Sequence, residues 1–300
     1  MIKNATIYSV TMPNRDDFDE MITDEFVSKY PHKTQHSTVG FSEIYPEVMV
    51  REIPELGYSF NVTIWEKPIK PKVVNRLVNE RLAVRDVVTK QEREEIREHV
   101  LAELIERTEA ESKVIPCYYN EKEKLMFVDN TSNKVTDLVT HILVQAVKSL
   151  KTTTIHLSSD NGLTKAVRDY FNEGIDVLSG FQLDGNLKFM NDEKSTLELK
   201  GWNFDINSME NEDIAVIVNS IDHDRHNVKS IGFSGDHIQF TLTDEFKLKS
   251  IKYPSYELPE WAEDDLDVWQ HEVSSDLLLI SSVVKTMVSK WSLPEETTNE

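Results

Sequence analysis

The stretch GDHIQFTLTDEFKLKSIKY, residues 235–253, predicts a β-hairpin that buries one of its faces. Apolar residues alternate with polar ones on both sides of a polar turn, as in half-buried strands: Ile238, Phe240, Leu242, Phe246 and Leu248. A three-residue loop, Thr243–Glu245, pairs Leu242 with Phe246 and keeps these side chains on one face. The other face then carries Gln239, Thr241, Lys247 and Lys249. Lysines thus collect on one sheet face of a chain whose net charge is -20.

Composition indicates a folded protein with a substantial core. The 300 residues, of which 39% are hydrophobic, suffice for two domains or one elongated body. The only cysteine, Cys117, excludes a disulfide framework and a cysteine-based zinc site, as in a reducing cytoplasm. The sequence has no signal-peptide core and no apolar run of membrane-spanning length. We therefore expect a soluble cytoplasmic protein with no membrane partner.

The net charge alone argues against nucleic-acid binding, for which a basic footprint is expected. The charge is uneven, however. Between Glu257 and Asp276 there are eight acidic residues and no Lys or Arg, whereas residues 67–107 hold ten basic and eight acidic residues. Because a local patch can bind an anion on a chain of the opposite total charge, composition does not decide the question.

Residues 67–111 predict an inserted helical hairpin. One helix begins near Pro71 and has a narrow apolar stripe: Val73, Val74, Leu77, Val84 and Val88. Thr89 and Glu92 form a capping-box pattern that starts a second helix. The apolar face of that helix holds Ile96, Val100, Leu104 and Ile105. Because both stripes are narrow, we expect the hairpin to project and to pack on itself or on a partner.

The rest of the chain predicts an α/β (α+β) fold of two sheet-plus-helix domains. The predicted division is a first domain of residues 1–66 and 112–178, the inserted hairpin 67–111, a second domain 179–272 with the lysine-bearing hairpin, and a C-terminal apolar helix 273–300. The acidic stretch 257–276 is typical of a solvated loop, and the final helix is expected to have a strand-like start. The run Leu277–Ile280 is hard to bury within one chain, which favours a homodimer.

Several segments together resemble the RdgC family, the recombination-associated DNA-binding proteins of bacteria. The similarity covers most of the chain from Pro68 onward, and its segments keep a common order and spacing. They are the charged helical pair Val73–Ile105, LMFVDN with its amphipathic helix, Gly180–Gln182, LELKGWNFDINSMENEDI with Lys200, LKSIKY at 248–253, and DLLLISSVVKTMV.

The resemblance implies a horseshoe-like monomer, two of which close into a ring around duplex DNA. Such proteins bind DNA without marked sequence preference, restrain strand exchange by a RecA-type recombinase, use no cofactor and catalyse no known reaction. The implied partners are double-stranded DNA, a second copy of the chain and a recombinase that competes for DNA, and the implied location is the nucleoid. Lys200, Lys249 and Lys252 occupy matching positions, and Lys247 is an extra lysine on the same hairpin.

The resemblance also implies a dimer contact, the gate of the ring, at the end of the second hairpin helix. Its residues here are Leu104, Ile105 and Glu109. Where the family commonly has an apolar stretch similar to LLPRAF, this chain has LIERTEA, so that acidic and polar residues replace side chains expected to close the ring. The departure bears directly on whether the ring closes on DNA.

Each DNA-binding candidate also has a structural interpretation. Arg76, Arg81 and Arg85 are candidates for phosphate contacts, but acidic neighbours such as Glu80 suit intrahelical ion pairs equally well. Lysines on an exposed strand face also serve solubility and edge protection. The residues alone favour that structural interpretation of the lysines, and the family resemblance reverses the balance.

The residues also bear on two other classes of function. A hydrolytic nuclease needs clustered carboxylates that hold metal ions, and IDHDRHN, residues 221–227, supplies ligand types but too close together to converge on one ion. A solvated loop is the favoured interpretation of that segment. The rival class is an acidic decoy or protein-binding inhibitor, which would present carboxylates in place of phosphates to a DNA-processing enzyme. DNA binding at low and high salt separates the decoy from the ring.

Overall fold

The computed structural model describes residues 2–83, 89–155, 162–255 and 264–291. Within these ranges the chain has seven helices and twelve strands, the mixed α/β fold that the sequence predicts. The strands are β1 Ala5–Val10, β2 Ser37–Ser42, β3 Val50–Ile53, β4 Gly57–Glu66, β5 Glu111–Asn120, β6 Leu125–Val128, β7 Thr152–Thr154, β8 Gln182–Met190, β9 Thr196–Asn203, β10 Asn227–Ser234, β11 Gln239–Thr243 and β12 Lys247–Lys252. The helices are α1 Arg15–Met21, α2 Pro71–Leu82, α3 Lys90–Arg107, α4 Asn133–Val147, α5 Leu163–Glu173, α6 Asn211–Asp222 and α7 Asp265–Trp291.

The twelve strands form one open antiparallel sheet. Its order is β2-β4-β5-β6-β1-β12-β11-β10-β8-β9, with β3 beside β4 and β7 beside β1. We call β1–β7 the first half-sheet and β8–β12 the second half-sheet. They join at a seam where β1 pairs with β12 through Ala5–Leu248 and Thr6–Lys247. Because hydrogen bonding continues across the seam, the division into separate domains stays a prediction.

Helices cover the two half-sheets unequally. On one face of the first half-sheet, α1 and α4 contribute Phe18, Val139 and Leu143 to a core that also contains Val62 of β4. On the opposite side, α5, α6 and α7 pack over the second half-sheet and over part of the first. Within the described ranges, no helix forms a core on the remaining face of the second half-sheet, and only the start of α4 reaches the edge of that face, at Lys247 of β12. We call this the open face.

The predicted hairpin is present as α2 and α3, and we call it the arm. Its core of Val74, Val78, Ile96 and Val100 is separate from the two cores of the sheet. The predicted capping box is confirmed: the Thr89 hydroxyl accepts from the Glu92 amide at 3.2 Å, and the Glu92 carboxylate accepts from the Thr89 amide at 2.9 Å. Val84 and Val88 of the predicted stripe lie outside the described residues.

The predicted pairing of the lysine-bearing hairpin is wrong by two residues. Leu242 lies opposite Leu248 rather than Phe246, because Phe246 sits in the turn with a left-handed φ of 55°. Its side chain folds from the turn into the core and is 2% exposed. A shift of two residues leaves every side chain on its predicted face, since side chains alternate with a period of two.

The C-terminal helix begins earlier than the sequence pattern predicts. α7 runs without interruption from Asp265 to Trp291, so the predicted strand-like start is wrong, and so is the loop interpretation of residues 265–276. Asp265 and Asp267 lie in the first turn, where the helix macrodipole favours negative charge. The acidic composition that suggested a loop therefore stabilises a helix N-terminus.

The apolar run in α7 is buried by its own chain. Leu277 and Ile280 are fully buried, and of this run only Leu278 is largely exposed. The run therefore needs no second subunit for burial, and it no longer supports a homodimer. None of the described helices combines the length and the apolar character needed to cross a membrane.

Candidate nucleic-acid interface

Two of the predicted DNA-binding lysines stand in one row across the open face. Lys249 of β12 pairs with Thr241 of β11, which pairs with Gly232 of β10. On the far side of the row, Asn186 of β8 pairs with Lys200 of β9. Four strand spacings of about 4.8 Å put the backbones of the two lysines roughly 19 Å apart.

The middle of this row requires a glycine. A Cβ atom added to Gly232 would lie 2.3 Å from the carbonyl oxygen of Asp184 and 3.6 Å from the Cβ of Asn186. The backbones of β8 and β10 therefore approach closely where the register of β8 shifts. Sequence reasoning missed this position, although a glycine within an apolar strand is a known signal of close backbone approach.

A bulge in β12 brings the third lysine onto the same face. Gln239 pairs with Lys252 and Thr241 with Lys249, so two steps along β11 correspond to three along β12. The extra residue is accommodated near Ser250, which has a left-handed φ of 52°. Without the bulge, three steps would place Lys252 on the apolar face. A shallow concavity of about 350 Å³ lies here, and its lining includes Lys200, Asn186, Gln239 and Lys252.

The three lysines keep their ammonium groups accessible. The Lys200 side chain is 67% exposed, and its Nζ lies 3.2 Å from an oxygen of Glu198. Such an exposed pair is screened by solvent and holds the ammonium weakly. Lys249 and Lys252 are exposed, and neither forms an ion pair within the described part of the chain. The open face thus offers three accessible cations across five strands.

Lys247 differs from these three lysines, although it lies on the same face and shares strand β12 with Lys249 and Lys252. Its side chain is only 8% exposed, and Nζ lies 2.5 Å from an oxygen of Glu245 and donates to Oδ1 of Asn133. The bond from Lys247 holds the pKa of the Glu245 carboxyl below its usual range. Asn133 is the first residue of α4, so the start of that helix covers the lysine. The expectation that Lys247 faces solvent is therefore wrong.

Comparison with known families identifies the family of this chain. A family model described as "Putative exonuclease, RdgC" matches residues 1–292 of the 300-residue chain. The chain belongs to the RdgC family. No curated protein matches it. Membership of the RdgC family indicates a recombination-associated DNA-binding protein.

The two described arginine candidates of the RdgC arm, Arg76 and Arg81, pair with acids. Arg76 lies 3.5 Å from Glu80 one turn later in α2, and both side chains are exposed. Arg81 donates to Glu103 of α3 at 2.6 Å, so its partner lies across the hairpin rather than beside it in sequence. This bond lowers the pKa of Glu103 below its usual range. Arg81 thus cross-links the two arm helices, and Arg85 lies outside the described residues.

The three gate candidates lie at the base of the arm. Leu104 packs against the arm core, and the carbonyl of Ile105 accepts from the ammonium of Lys67 at 2.8 Å. Glu109 is exposed just beyond the end of α3. These residues are therefore close to the junction with the sheet.

The word exonuclease in the family description makes metal-binding carboxylates relevant. In the IDHDRHN segment, residues 221–227, Asp222 lies 3.7 Å from Arg168, and His226 is buried with Nδ1 3.3 Å from the carbonyl of Ser220. Among the residues that the structure describes, no group of three or more His, Cys, Asp or Glu side chains is arranged to hold a metal ion.

Proposed function

We propose that this protein binds double-stranded DNA without sequence preference, encircles it as a dimer, and restrains strand exchange by a RecA-type recombinase. The observation that carries the proposal is the row of accessible lysines on the open face, formed by Lys200, Lys249 and Lys252. Family membership supports the recombination context. Binding to DNA, rather than catalysis on it, is the proposed activity.

The arrangement suits contact with a regular anionic backbone. Duplex DNA carries about one negative charge for every 1.7 Å of its axis, so three cations spread over roughly 19 Å can each meet a phosphate in any sequence. The concavity on the open face is shallow, and its lining combines Lys200 and Lys252 with amide and hydroxyl side chains, glycine backbone, Phe240 and one acid, Asp184. Contacts of this kind position a duplex and carry little sequence information.

The net charge of -20 is compatible with this proposal if the acids face away from the DNA. Long-range repulsion is screened beyond about 8 Å at physiological salt, whereas contacts between lysine and phosphate act within that distance. Affinity should therefore be modest and should fall steeply with salt. Arg76 on the outer surface of α2 adds a proposed contact if the arm also touches DNA.

The decisive experiment measures fluorescence anisotropy of two unrelated duplexes over a salt series. The test variant is Lys200/Lys249/Lys252→Gln, and the matched control is Lys29/Lys122/Lys151→Gln, which removes three exposed lysines elsewhere. Because each lost phosphate contact lowers the salt slope of log affinity by about 0.9, the test variant should lose up to about 2.7 and bind both duplexes more weakly. The control should follow the parent.

Other outcomes identify other functions. Equal affinity and slope in the two variants would mean that the open-face lysines serve solubility only. A parent that binds no duplex even in low salt favours the acidic decoy. Loss of the duplex in the presence of Mg²⁺ or Mn²⁺ favours the exonuclease of the family description. Sedimentation of the parent at about ten micromolar or above tests the dimer, and a strand-exchange assay tests the effect on a recombinase.

A further inference from the structure

Lys67 is a buried lysine with no acid to neutralise it among the described residues. The residue is 2% exposed, and its ammonium donates three hydrogen bonds to carbonyl oxygens: to His32 at 3.1 Å, to Lys33 at 2.7 Å and to Ile105 at 2.8 Å. An ammonium has three donors, so its hydrogen-bonding capacity is filled. Burial of a charge is costly unless such partners compensate it.

The three acceptors belong to two different parts of the molecule. His32 and Lys33 lie in the loop before β2, on the body of the protein, whereas Ile105 lies in the last turn of α3. The last four carbonyls of a helix lack partners within the helix and carry the negative end of its dipole. The ammonium therefore satisfies a free helix end and joins that end to the body.

The arm has little else to hold its direction. Its apolar core is separate from both sheet cores, so no continuous hydrophobic packing determines the angle between arm and sheet. One further side-chain contact lies at the root, where the hydroxyl of Tyr30 accepts from the amide of Ala110 at 3.0 Å. Tyr30 is 56% exposed, and an exposed neutral hydrogen bond contributes less than a buried charged one.

From these contacts we infer that Lys67 is the positioning residue that locks the orientation of the arm on the sheet. The lock consists of the three hydrogen bonds from the Lys67 ammonium. This role accounts for a buried ammonium that has no counterion among the described residues. Because Ile105 is both its acceptor and a gate candidate, the same ammonium would set the position of the gate in a dimer. That last consequence rests on the proposed function, whereas the lock itself does not.

The test measures arm orientation without DNA. Spin labels are placed on Glu98→Cys in α3 and Gln145→Cys in α4, both exposed positions, and their distance is recorded by double electron–electron resonance. Native Cys117 does not compete for label, because it is buried and burial raises the pKa of its thiol. The parent should give one narrow distance distribution, and Lys67→Met should give a broad or multiple one.

The control is Lys134→Met, which removes an exposed lysine near the same root. Lys134 pairs with Glu66, the residue before Lys67, and has no described contact with the arm. This variant should keep the narrow distribution of the parent. A narrow, unshifted distribution in folded Lys67→Met would overturn the lock. If Lys67→Met fails to fold, Lys67→Gln takes its place, and loss of cooperative unfolding in both variants would overturn it too, by making Lys67 a general determinant of folding.

Discussion

The two half-sheets share one hydrogen-bonded sheet but differ in how their faces are covered. The first half-sheet carries α1 and α4 on one face and part of α7 on the other. The second half-sheet carries helices on one face only, within the described residues. Strand residues such as Val62 are accordingly apolar and fully buried in the first, while the open face of the second holds amides, hydroxyls and lysines. The difference shows that helix coverage, rather than strand sequence alone, creates the candidate interface.

The boundary between covered and open sheet falls between two lysines on one strand. Lys247 and Lys249 are two residues apart and point to the same face. The first is closed off by Asn133 at the start of α4 and by Glu245, and the second is exposed. Identical side chains on the same face thus take a structural role at the seam and a proposed binding role beyond it.

The largest effect on stability should come from a new charge on a covered face. The same charge on the open face is the matched comparison. Val62→Lys inserts an unpaired ammonium between α1, α4 and β4, so it should cost more than about 4 kcal/mol of unfolding free energy. Since a domain has only about 5–15 kcal/mol in total, the variant should be largely unfolded at 37 °C. Urea unfolding followed by circular dichroism measures the loss.

The matched change on the open face is Thr241→Lys. Thr241 lies between Lys249 and Gly232 in the lysine row and is half-buried. A lysine there can extend into solvent, so the unfolding free energy should stay within about 0.5 kcal/mol of the parent. If Thr241→Lys unfolds the protein as Val62→Lys does, the open face is covered by something that the described residues do not include.

The sequence predicts most elements but only part of the site. Helices with a clear period or cap, such as α3 and α4, were predicted correctly, and so were β11 and β12 of the lysine-bearing hairpin. β2 and β5 were not predicted, because Gly40 and Pro116 interrupt the apolar alternation that marks a strand. β3, a strand of four residues, was not predicted either. For the lysine-bearing hairpin, the sequence pattern predicts the correct face for each side chain but the wrong cross-strand partners. Alternation determines which face a side chain occupies, and it does not distinguish pairings that differ by two residues.

Burial of Lys247 could not be predicted from its own strand. It depends on the start of α4, which is more than a hundred residues away in sequence. The bulge at Ser250 is equally hidden, because no local residue pattern in LKSIKY requires it. Lys200, Lys249 and Lys252 were named from a family resemblance, and the structure adds the row and the bulge that put all three on one face. Their role in DNA binding stays a prediction.

A second, intermediate effect on stability separates Lys247 from Lys249 in β12. Lys247→Met removes the ammonium and leaves Asn133 and Glu245 without its hydrogen bonds, which should cost about 1–3 kcal/mol. Lys249→Met removes an exposed ammonium and should change stability by less than about 0.5 kcal/mol. Urea midpoints at pH 7 measure both variants. Equal losses would mean that the boundary between covered and open sheet does not fall between these residues.

For the same two variants, the effects on DNA affinity should be in the reverse order of the effects on stability. Lys249→Met should weaken binding and lower the salt slope by about 0.9, because an exposed lysine can release a counterion from a phosphate. Folded Lys247→Met should keep the slope of the parent, because its ammonium is already engaged. A change of slope in Lys247→Met alone would show that this lysine leaves its partners to bind DNA.

The smallest effect is the pH dependence of the stability that Lys247 contributes at the seam. The folded-state pKa of Glu245 lies below its usual range, first because of the hydrogen bond from Lys247. A depressed carboxyl pKa contributes stability that is present above the unfolded value, about 4.3, and is lost as pH falls through the folded value. The stability gap between the parent and Lys247→Met should therefore be larger at pH 7 than below pH 4. The Glu245 side chain is 59% exposed, so solvent screening keeps this change small.

The measurement compares urea midpoints of parent and variant at pH 7 and at the lowest pH where both still unfold cooperatively. Dilute protein is needed, because the pI of about 4.9 lies close to this window. Lys249→Met is the control. Its ammonium forms no ion pair among the described residues and is only a lesser cause of the lowered Glu245 pKa, so its gap from the parent should change less with pH than that of Lys247→Met. Asn133 accepts from Lys247 at every pH, so part of the gap should survive in acid. A gap that stays constant would assign the whole contribution of Lys247 to Asn133, and the seam would then be held by a neutral acceptor rather than by an ion pair.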